Sequence, residues 1–175
     1  MSIKITSSNN DKLLDLVKDK LKLSETEVEI GYFEEDTYEA NDKVKNASKK
    51  VHVAQVAYWQ ENGFIVPTTN KIMTSKGKLL IIPPHEVPPR PFMSNAVKKY
   101  GNKAINEVVR SIANGMSEKQ AMLRGAELLK DGIKQEITDI DTPPNSEATI
   151  EIKGSSNPLI NTGRLRRSVK VKERE

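Results

Sequence analysis

The sequence has no cysteine, few aromatic residues and no long apolar run. The absence of cysteine from all 175 residues excludes disulfide scaffolds, thiolate metal sites and thiol nucleophiles, and it fits a protein made in a reducing cytoplasm. The longest apolar run, residues 79–84, is far shorter than the roughly 20 residues of a membrane-spanning helix. No apolar segment follows the first basic residue, so the N-terminus does not look like a secretory signal. We therefore expect a soluble protein without membrane contact.

Parts of the common catalytic sites are also missing. The two histidines, His52 and His85, do not have the spacing of a zinc site, and no nucleophile elbow or nucleotide-binding loop occurs. Asp139 and Asp141 are close enough in sequence to share Mg²⁺ as in a two-metal nuclease, but aspartate beside prolines is common for turn geometry alone. We expect no enzyme, no cofactor and no metal site, with a nuclease as the remote alternative.

The chain contains few core-forming residues, and its acidic and basic residues lie in separate segments of the sequence. Hydrophobic residues make up 36% of the chain and charged residues 30%, which is easier to understand if some apolar surface is buried against neighbouring subunits; a polar-surfaced monomer is the alternative. Residues 25–42 carry eight acids and no base, among them Glu34, Glu35 and Asp36, whereas residues 43–103 and 153–175 are strongly basic. Such complementarity steers and registers assembly, although for any single patch the pattern favours a solvated face.

Apolar spacing predicts four helices in a chain long enough for one domain, residues 1–175. The first two cover residues 10–21 and 49–61, with a strand as the alternative for the first half of the second. Gly63 is expected to end the second helix in the left-handed conformation. Ser94 is expected to cap a third helix that ends near residue 113. Ser117 and Gln120 form a capping-box pattern for a fourth, which ends near residue 138.

Alternating residues predict strands at 27–33 and at the C-terminus, the latter directly or after a helical turn. Residues 148–153 suit a short strand or a turn of helix. Residues 65–86 predict an inserted β-hairpin with its turn at residues 74–77, which is either an extended arm or a tight hairpin packed on the domain. Its basic side chains are Lys71, Lys76 and Lys78. The prolines of residues 87–93 fix the backbone that carries Arg90 and Phe92.

Three parts of the sequence resemble phage tail-completion and neck proteins, the broad set that contains the HK97 gp10-like family and the Mu-like virion morphogenesis proteins. YWQENG at 58–63 resembles their helix end, xYxEFG, and PPRPFM at 88–93 looks like their IPARPF element. PPN at 143–145, followed by NPLINTGRLRRSV at 157–169, is similar to their ending, PPNxxxTxxxKGxxxPLIDTGxLxxSI. The similarity covers residues 50–63 and 87–171. It departs from the pattern at Asn161 (usually Asp), at Asn62 (usually Phe) and in the hairpin.

The resemblance implies an α+β fold, a small mixed or antiparallel sheet with three to four helices packed on it, plus the hairpin arm. It implies a structural virion protein that forms a six-copy ring at the phage neck or the top of the tail, after assembly in the host cytoplasm. Its neighbours would be portal or head-completion proteins on one side and tail-terminator or tail-tube proteins on the other. The acidic patch Glu34, Glu35 and Asp36 would meet basic surfaces of the next copy.

The family motifs supply the candidate interface residues. These are Trp59, Glu61, Arg90, Phe92, Asn161, Thr162, Gly163, Arg164 and Arg167. For Arg90 and Phe92, anchoring of the domain core is an equal alternative to subunit contact. The turn at 161–163 is expected to bond local backbone groups through its side chains, and to direct Leu165 inward and the neighbouring arginines outward.

Nonspecific DNA binding during packaging or assembly is the competing function. Phosphate-facing side chains would be the hairpin lysines together with Arg164, Arg166, Arg167, Lys170 and Lys172. Base readout is not expected, because no recognised DNA-binding module occurs and aromatic side chains are scarce.

Overall fold

The computed structural model describes residues 2–6, 26–38, 51–74 and 77–174. The helix predicted at residues 10–21 lies outside the described residues, as do Lys76 and residues 39–42 of the acidic segment. The described residues form nine strands and five helices. In chain order these are β1 (Ser2–Thr6), β2 (Glu27–Gly31), β3 (Thr37–Tyr38), β4 (Val51–His52), α1 (Val53–Asn62), β5 (Phe64–Val66), β6 (Asn70–Met73), β7 (Leu79–Ile82), β8 (His85–Val87), α2 (Phe92–Ala113), α3 (Glu118–Asp139), α4 (Glu147–Lys153), α5 (Arg164–Arg167) and β9 (Lys170–Arg174).

The main sheet has three antiparallel strands in the order β1-β2-β9. Val28 and Ile30 of the central strand are fully buried, whereas Glu27 and Glu29, which alternate with them, are only half-buried, because successive side chains of a strand point to opposite faces. Helix α3 packs on β2 and β9, and α2 packs along α3. The α+β fold is therefore confirmed, with an antiparallel sheet, and so is the C-terminal strand; the strand predicted at residues 27–33 is present but ends at Gly31.

Small residues allow the two long helices to approach each other closely. A Cβ atom added to Gly125 of α3 would lie 2.4 Å from Val108 Cγ2 and 2.9 Å from the carbonyl oxygen of Ala104 in α2. One added to Gly132 would lie 2.6 Å from the Tyr100 ring. Fully packed interiors have no room for such an extra atom, so these two glycines set the distance between α2 and α3.

Helix α1 differs at both ends from the prediction. It begins at Val53 because Val51 and His52 pair with β3 instead, so the strand alternative applies to these two residues. Gly63 ends the helix as expected, but with φ 76° and ψ 167°, which is not the left-handed cap; this region of backbone space is essentially restricted to glycine. A Cβ on Gly63 would lie 2.8 Å from the Val87 carbonyl oxygen. The chain therefore turns directly from α1 into β5.

The remaining helix boundaries follow local capping chemistry. The Ser117 side chain accepts a hydrogen bond from the Gln120 amide at 3.3 Å, which confirms the predicted start of the fourth helix. Ser146 accepts one from Thr149, and residues 147–153 accordingly form a helix rather than a strand. No helix in the described part of the chain is long and apolar enough to cross a membrane.

The predicted hairpin is confirmed, and its pairing extends slightly beyond the predicted bounds. Strands β6 and β7 pair around the turn, with Lys71 opposite Ile81, and β5 pairs with β8 at the base. Ile65, Leu79 and Ile81 remain 72%, 52% and 62% exposed. At the far end, Lys78 Nζ lies 3.1 Å from Glu151 Oε2 of α4. The hairpin thus touches the body through an exposed ion pair while large aliphatic side chains face solvent.

We expect Gly125→Ala to lower the free energy of unfolding by about 1–3 kcal/mol, because the added methyl group overpacks against the α2 backbone. Gly101→Ala is the matched control, since its Cβ would meet only Val97 Cγ1 at 3.7 Å. That change is expected to stabilise by about 0.5–1 kcal/mol through better helix propensity. Urea unfolding of both variants measures the difference, and equal stabilisation by both would contradict the close packing of α2 on α3.

Candidate functional site

The side chain of Glu61 caps a helix other than its own. Glu61 is the next-to-last residue of α1 and is 5% exposed. Its Oε2 accepts a hydrogen bond from the Met93 amide at 2.9 Å, and its Oε1 accepts from the Ser94 amide at 3.0 Å and from Ser94 Oγ at 2.6 Å. These amides belong to the first turn of α2, where backbone donors have no partner within the helix. The end of α1 is therefore fixed to the start of α2.

The predicted capping role of Ser94 is wrong. Helix α2 begins at Phe92, and the residue in the cap position is Pro91, which makes no side-chain cap bond. Ser94 is the third residue of the helix and donates to Glu61. A carboxylate is favoured at a helix N-terminus by the helix dipole, and here it comes from a segment about 30 residues earlier in the chain.

Arg90 joins the same helix end to the loop before α4. The side chain is 4% exposed. Its Nε donates to the Pro143 carbonyl oxygen at 3.0 Å, Nη2 to that of Pro144 at 3.4 Å and Nη1 to Gln60 Oε1 at 3.1 Å. The Arg90 amide also donates to the Gln60 carbonyl oxygen at 2.7 Å. All these acceptors are neutral, and burial lowers the pKa of the Arg90 guanidinium.

Phe92 lies entirely inside the protein. It is 0% exposed, and its ring packs edge-on against Tyr32, with 6.3 Å between the ring centroids. Of the two roles predicted for Arg90 and Phe92, burial favours anchoring of the core: Phe92 has no exposed surface, and the Arg90 guanidinium is held by oxygens of its own chain.

The loop after α4 is organised by Asn157. Its Oδ1 accepts from the amides of Leu159 and Ile160 at 2.9 and 2.8 Å, and its Nδ2 donates to the Thr138 carbonyl oxygen at 2.9 Å. Asn145 Nδ2 in turn donates to the Asn157 carbonyl oxygen at 3.1 Å. The loop at 143–145 is thereby connected to the segment that begins at residue 157.

The turn at residues 161–163 departs from its prediction. Asn161 and Thr162 are exposed, and their side chains make no hydrogen bond within the described residues; Asn157 bonds the local backbone instead. Gly163, with φ 72°, precedes α5. Leu165 is 3% exposed, whereas Arg166 and Arg167 are exposed, as expected.

Arg164 is half-buried rather than outward-facing. Its guanidinium carbon lies 5.7 Å from the centroid of the Tyr38 ring, within the range of a cation–π contact. Its partner is therefore inside the same chain.

Two of the three acids in the predicted contact patch are paired within the chain. Asp36 Oδ2 lies 2.7 Å from Lys170 Nζ, and Glu35 Oε1 lies 2.7 Å from Lys172 Nζ. The hydrogen bond from Lys172 lowers the pKa of the Glu35 carboxyl. The acidic segment and the C-terminal basic strand thus neutralise each other in one molecule, which the linear sequence could not reveal. Glu34 makes no ion pair with any described residue and is exposed.

Two adjoining grooves lie beside the hydrogen-bonded segments around Arg90 and Asn157. One, of about 350 Å³, is lined by Trp59, Tyr38, Asn161 and Leu165 among others. The second, of about 540 Å³, lies between the end of α1, the hairpin base and α4, and we call it the Arg90 groove. Its lining includes Gln60, Phe64, Val87, Arg90, Pro144 and Lys153. Trp59 packs against Phe64 with 5.9 Å between ring centroids, so the two grooves share a wall.

The residues considered for catalysis have local partners. His52 Nδ1 donates to the Glu34 carbonyl oxygen and His85 Nδ1 to that of Pro83, both at 2.9 Å. Asp139 accepts from Gln135 at 2.7 Å, and Asp141 accepts from the Thr142 hydroxyl at 3.0 Å. Within the described ranges, no group of three His, Cys, Asp or Glu side chains is placed to hold a metal ion.

Comparison with known proteins identifies no relative: no family model, no curated protein and no solved structure matches this chain. The resemblance to phage neck proteins stays a prediction from sequence, and the grooves and the hydrogen-bonded network are the structural features to which a function can be attached.

We expect Glu61→Gln to lower the free energy of unfolding by about 2–3 kcal/mol, because the amide removes a charged acceptor and places an NH₂ group against buried donors. Hydrogen exchange at the Met93 and Ser94 amides should accelerate in the same variant. The control is Glu151→Gln, whose ion pair with Lys78 is exposed and is worth less than about 1 kcal/mol. Similar unfolding midpoints for the two variants would show that Glu61 is not the cap of α2.

Proposed function

We propose that this chain is a structural protein of a tailed phage that forms a ring at the head–tail neck, in tail completion or head–tail joining. The observation that best supports the proposal is the contact between the segments that carry the resemblance. Glu61 of residues 58–63 accepts hydrogen bonds from residues 93 and 94, and Arg90 of residues 88–93 donates to Pro143 and Pro144. Chance similarities scattered along a chain have no reason to share hydrogen bonds, whereas the motifs of one structural unit do.

The exposed side of the hairpin gives a second reason. Ile65, Leu79 and Ile81 are each more than half exposed, on two-stranded ribbons whose outer edges have no partner strand among the described residues. Exposed aliphatic side chains on unpaired strands favour association with another chain. A contact between two different surfaces of successive copies closes into a ring when the rotation between copies permits it. The hairpin is suited to be one of these surfaces.

Nonspecific DNA binding is the second candidate function. It requires cationic side chains that are not already paired with carboxylates of the same chain. Lys78, Lys170 and Lys172 each contact a carboxylate of the same chain. Lys71, Arg166 and Arg167 are exposed and have no carboxylate within 4.0 Å in the described part of the chain. The surface available to phosphates is therefore smaller than the sequence suggests, and we rank assembly first.

The expected result is a ring of defined copy number in native mass spectrometry and electron microscopy, for the full chain alone or mixed with portal and tail-tube proteins. Replacing Leu79 and Ile81 together by threonine should abolish the ring without changing the unfolding midpoint, because both side chains are exposed. Met116→Thr, which alters an exposed side chain between α2 and α3, is the control and should assemble normally.

A chain that stays monomeric in every mixture would contradict the proposal. If that monomer binds DNA with an affinity that falls steeply with salt, and loses it when Lys71, Lys76 and Lys78 are neutralised, the DNA-binding role is the correct one.

A further inference from the structure

The Arg90 groove contains two cations, Arg90 and Lys153, that pair with no carboxylate among the described residues. Lys153 Nζ donates to the carbonyl oxygens of Asn157 and Pro158, both at 3.0 Å, and Arg90 likewise contacts only neutral oxygens. Burial and repulsion from Arg90 lower the pKa of the Lys153 ammonium. Glu86, the one acid in the lining, forms no ion pair with either cation. With two cations and one acid, the groove lining carries a net positive charge.

Part of the groove wall is apolar, and polar side chains form the rest. Phe64, Val66, Val87, Pro144 and Pro158 contribute to the apolar part. A concave site of about 540 Å³ that combines apolar wall segments with converging polar groups can receive a ligand that is itself partly apolar and partly polar. Charge and shape together suit a carboxylate side chain carried on a short, partly apolar segment.

Glu34 is an exposed carboxylate with no counterion in the described part of the chain. It lies in the turn after β2, and the backbone around it is fixed: the His52 ring donates to its carbonyl oxygen, and the Val53 amide donates to that of Asp36 at 2.9 Å. Its neighbours Glu35 and Asp36 are held by Lys172 and Lys170. The turn is thus pre-organised with one carboxylate free of any described ion pair, and Phe33 beside it is only half-buried.

The turn and the groove lie at opposite ends of α1. The turn contacts Val53, the first residue of the helix, and the groove is lined by Gln60, near its last turn. Seven residues of helix separate these points by about 10 Å. The chain's own fixed turn therefore does not fill its own groove. Two complementary surfaces at separate places on one molecule are what a head-to-tail contact between copies requires.

We propose that the Arg90 groove of one copy receives the Glu34 turn of a second copy of this chain. This inference rests on the proposed function, since it names a second contact between successive copies of the ring, beside that of the hairpin. Desolvated charge pairs of this kind set the register of an interface and make it selective.

A charge swap in the full-length chain tests the contact. Glu34→Lys and Lys153→Glu are each expected to weaken self-association at least tenfold in sedimentation velocity, and the chain carrying both changes is expected to recover association. Lys103→Glu, at an exposed position of α2, is the matched control and should associate like the unaltered protein. Arg90 is left unchanged because it anchors the fold. Glu34 is exposed, so Glu34→Lys reports on the contact even if Lys153→Glu unfolds the protein.

Rings that form equally well with Glu34→Lys would overturn the inference and leave the proposed function standing. Should the unaltered chain stay monomeric, the proposed function fails, and a peptide experiment decides the inference separately. A capped peptide of residues 31–38 is titrated into the full chain while the fluorescence of Trp59, the only tryptophan, is followed. Binding that weakens at least tenfold when the peptide carries Glu34→Gln supports the groove as its receptor; no binding, or equal binding, overturns it.

Discussion

The structure depends on one buried carboxylate. Burying Glu61 costs solvation free energy, and the cost is offset because two amides and a hydroxyl of the first turn of α2 surround it with donors. The bond fixes the direction in which α2 leaves α1. It also fixes Arg90, which lies just before α2 and can then reach the Pro143 carbonyl oxygen. The hydrogen bonds of Arg90 in turn position the loop that leads to α4, and this loop forms part of the wall of the Arg90 groove.

The electrostatic character of the groove follows from the same arrangement. A carboxylate bound to Arg90 would neutralise its charge. Glu61, the acid of the motif at residues 58–63, already caps α2 instead. Arg90 is left with carbonyl and amide oxygens, which accept one hydrogen bond each from Nε, Nη1 and Nη2 without cancelling its charge. Lys153, also in the groove lining, is likewise bound by carbonyl oxygens. Two cations therefore stay in a partly dry site, where a carboxylate from outside would interact strongly.

The features that the sequence predicted correctly are local. Hydrophobic periodicity located α3 and β2, and Ser117 caps its helix through a residue three positions away. Each of these features is therefore encoded within a short stretch of sequence. The features that it missed join distant positions. Glu61 and Ser94 are 33 residues apart, and Asp36 meets Lys170 only because β9 pairs beside β2. At residues 157–163 the sequence predicted side-chain hydrogen bonds to the local backbone but assigned them to Asn161, whereas Asn157 makes them. Either asparagine can form such a turn, and the fold decides which one does.

Charge separation along the sequence is used in two different ways. Most of it acts within the molecule, where the acids at 35 and 36 and the bases of β9 hold the edge of the sheet to the turn beside it. Such exposed pairs contribute little stability individually, but they order the turn. The charges left over, Glu34 and the cations of the groove, have no described partner of opposite sign. A chain that first satisfies its buried polar groups and keeps opposite charges on separate surfaces can fold as a monomer and associate afterwards, because folding leaves those charges available for the second step.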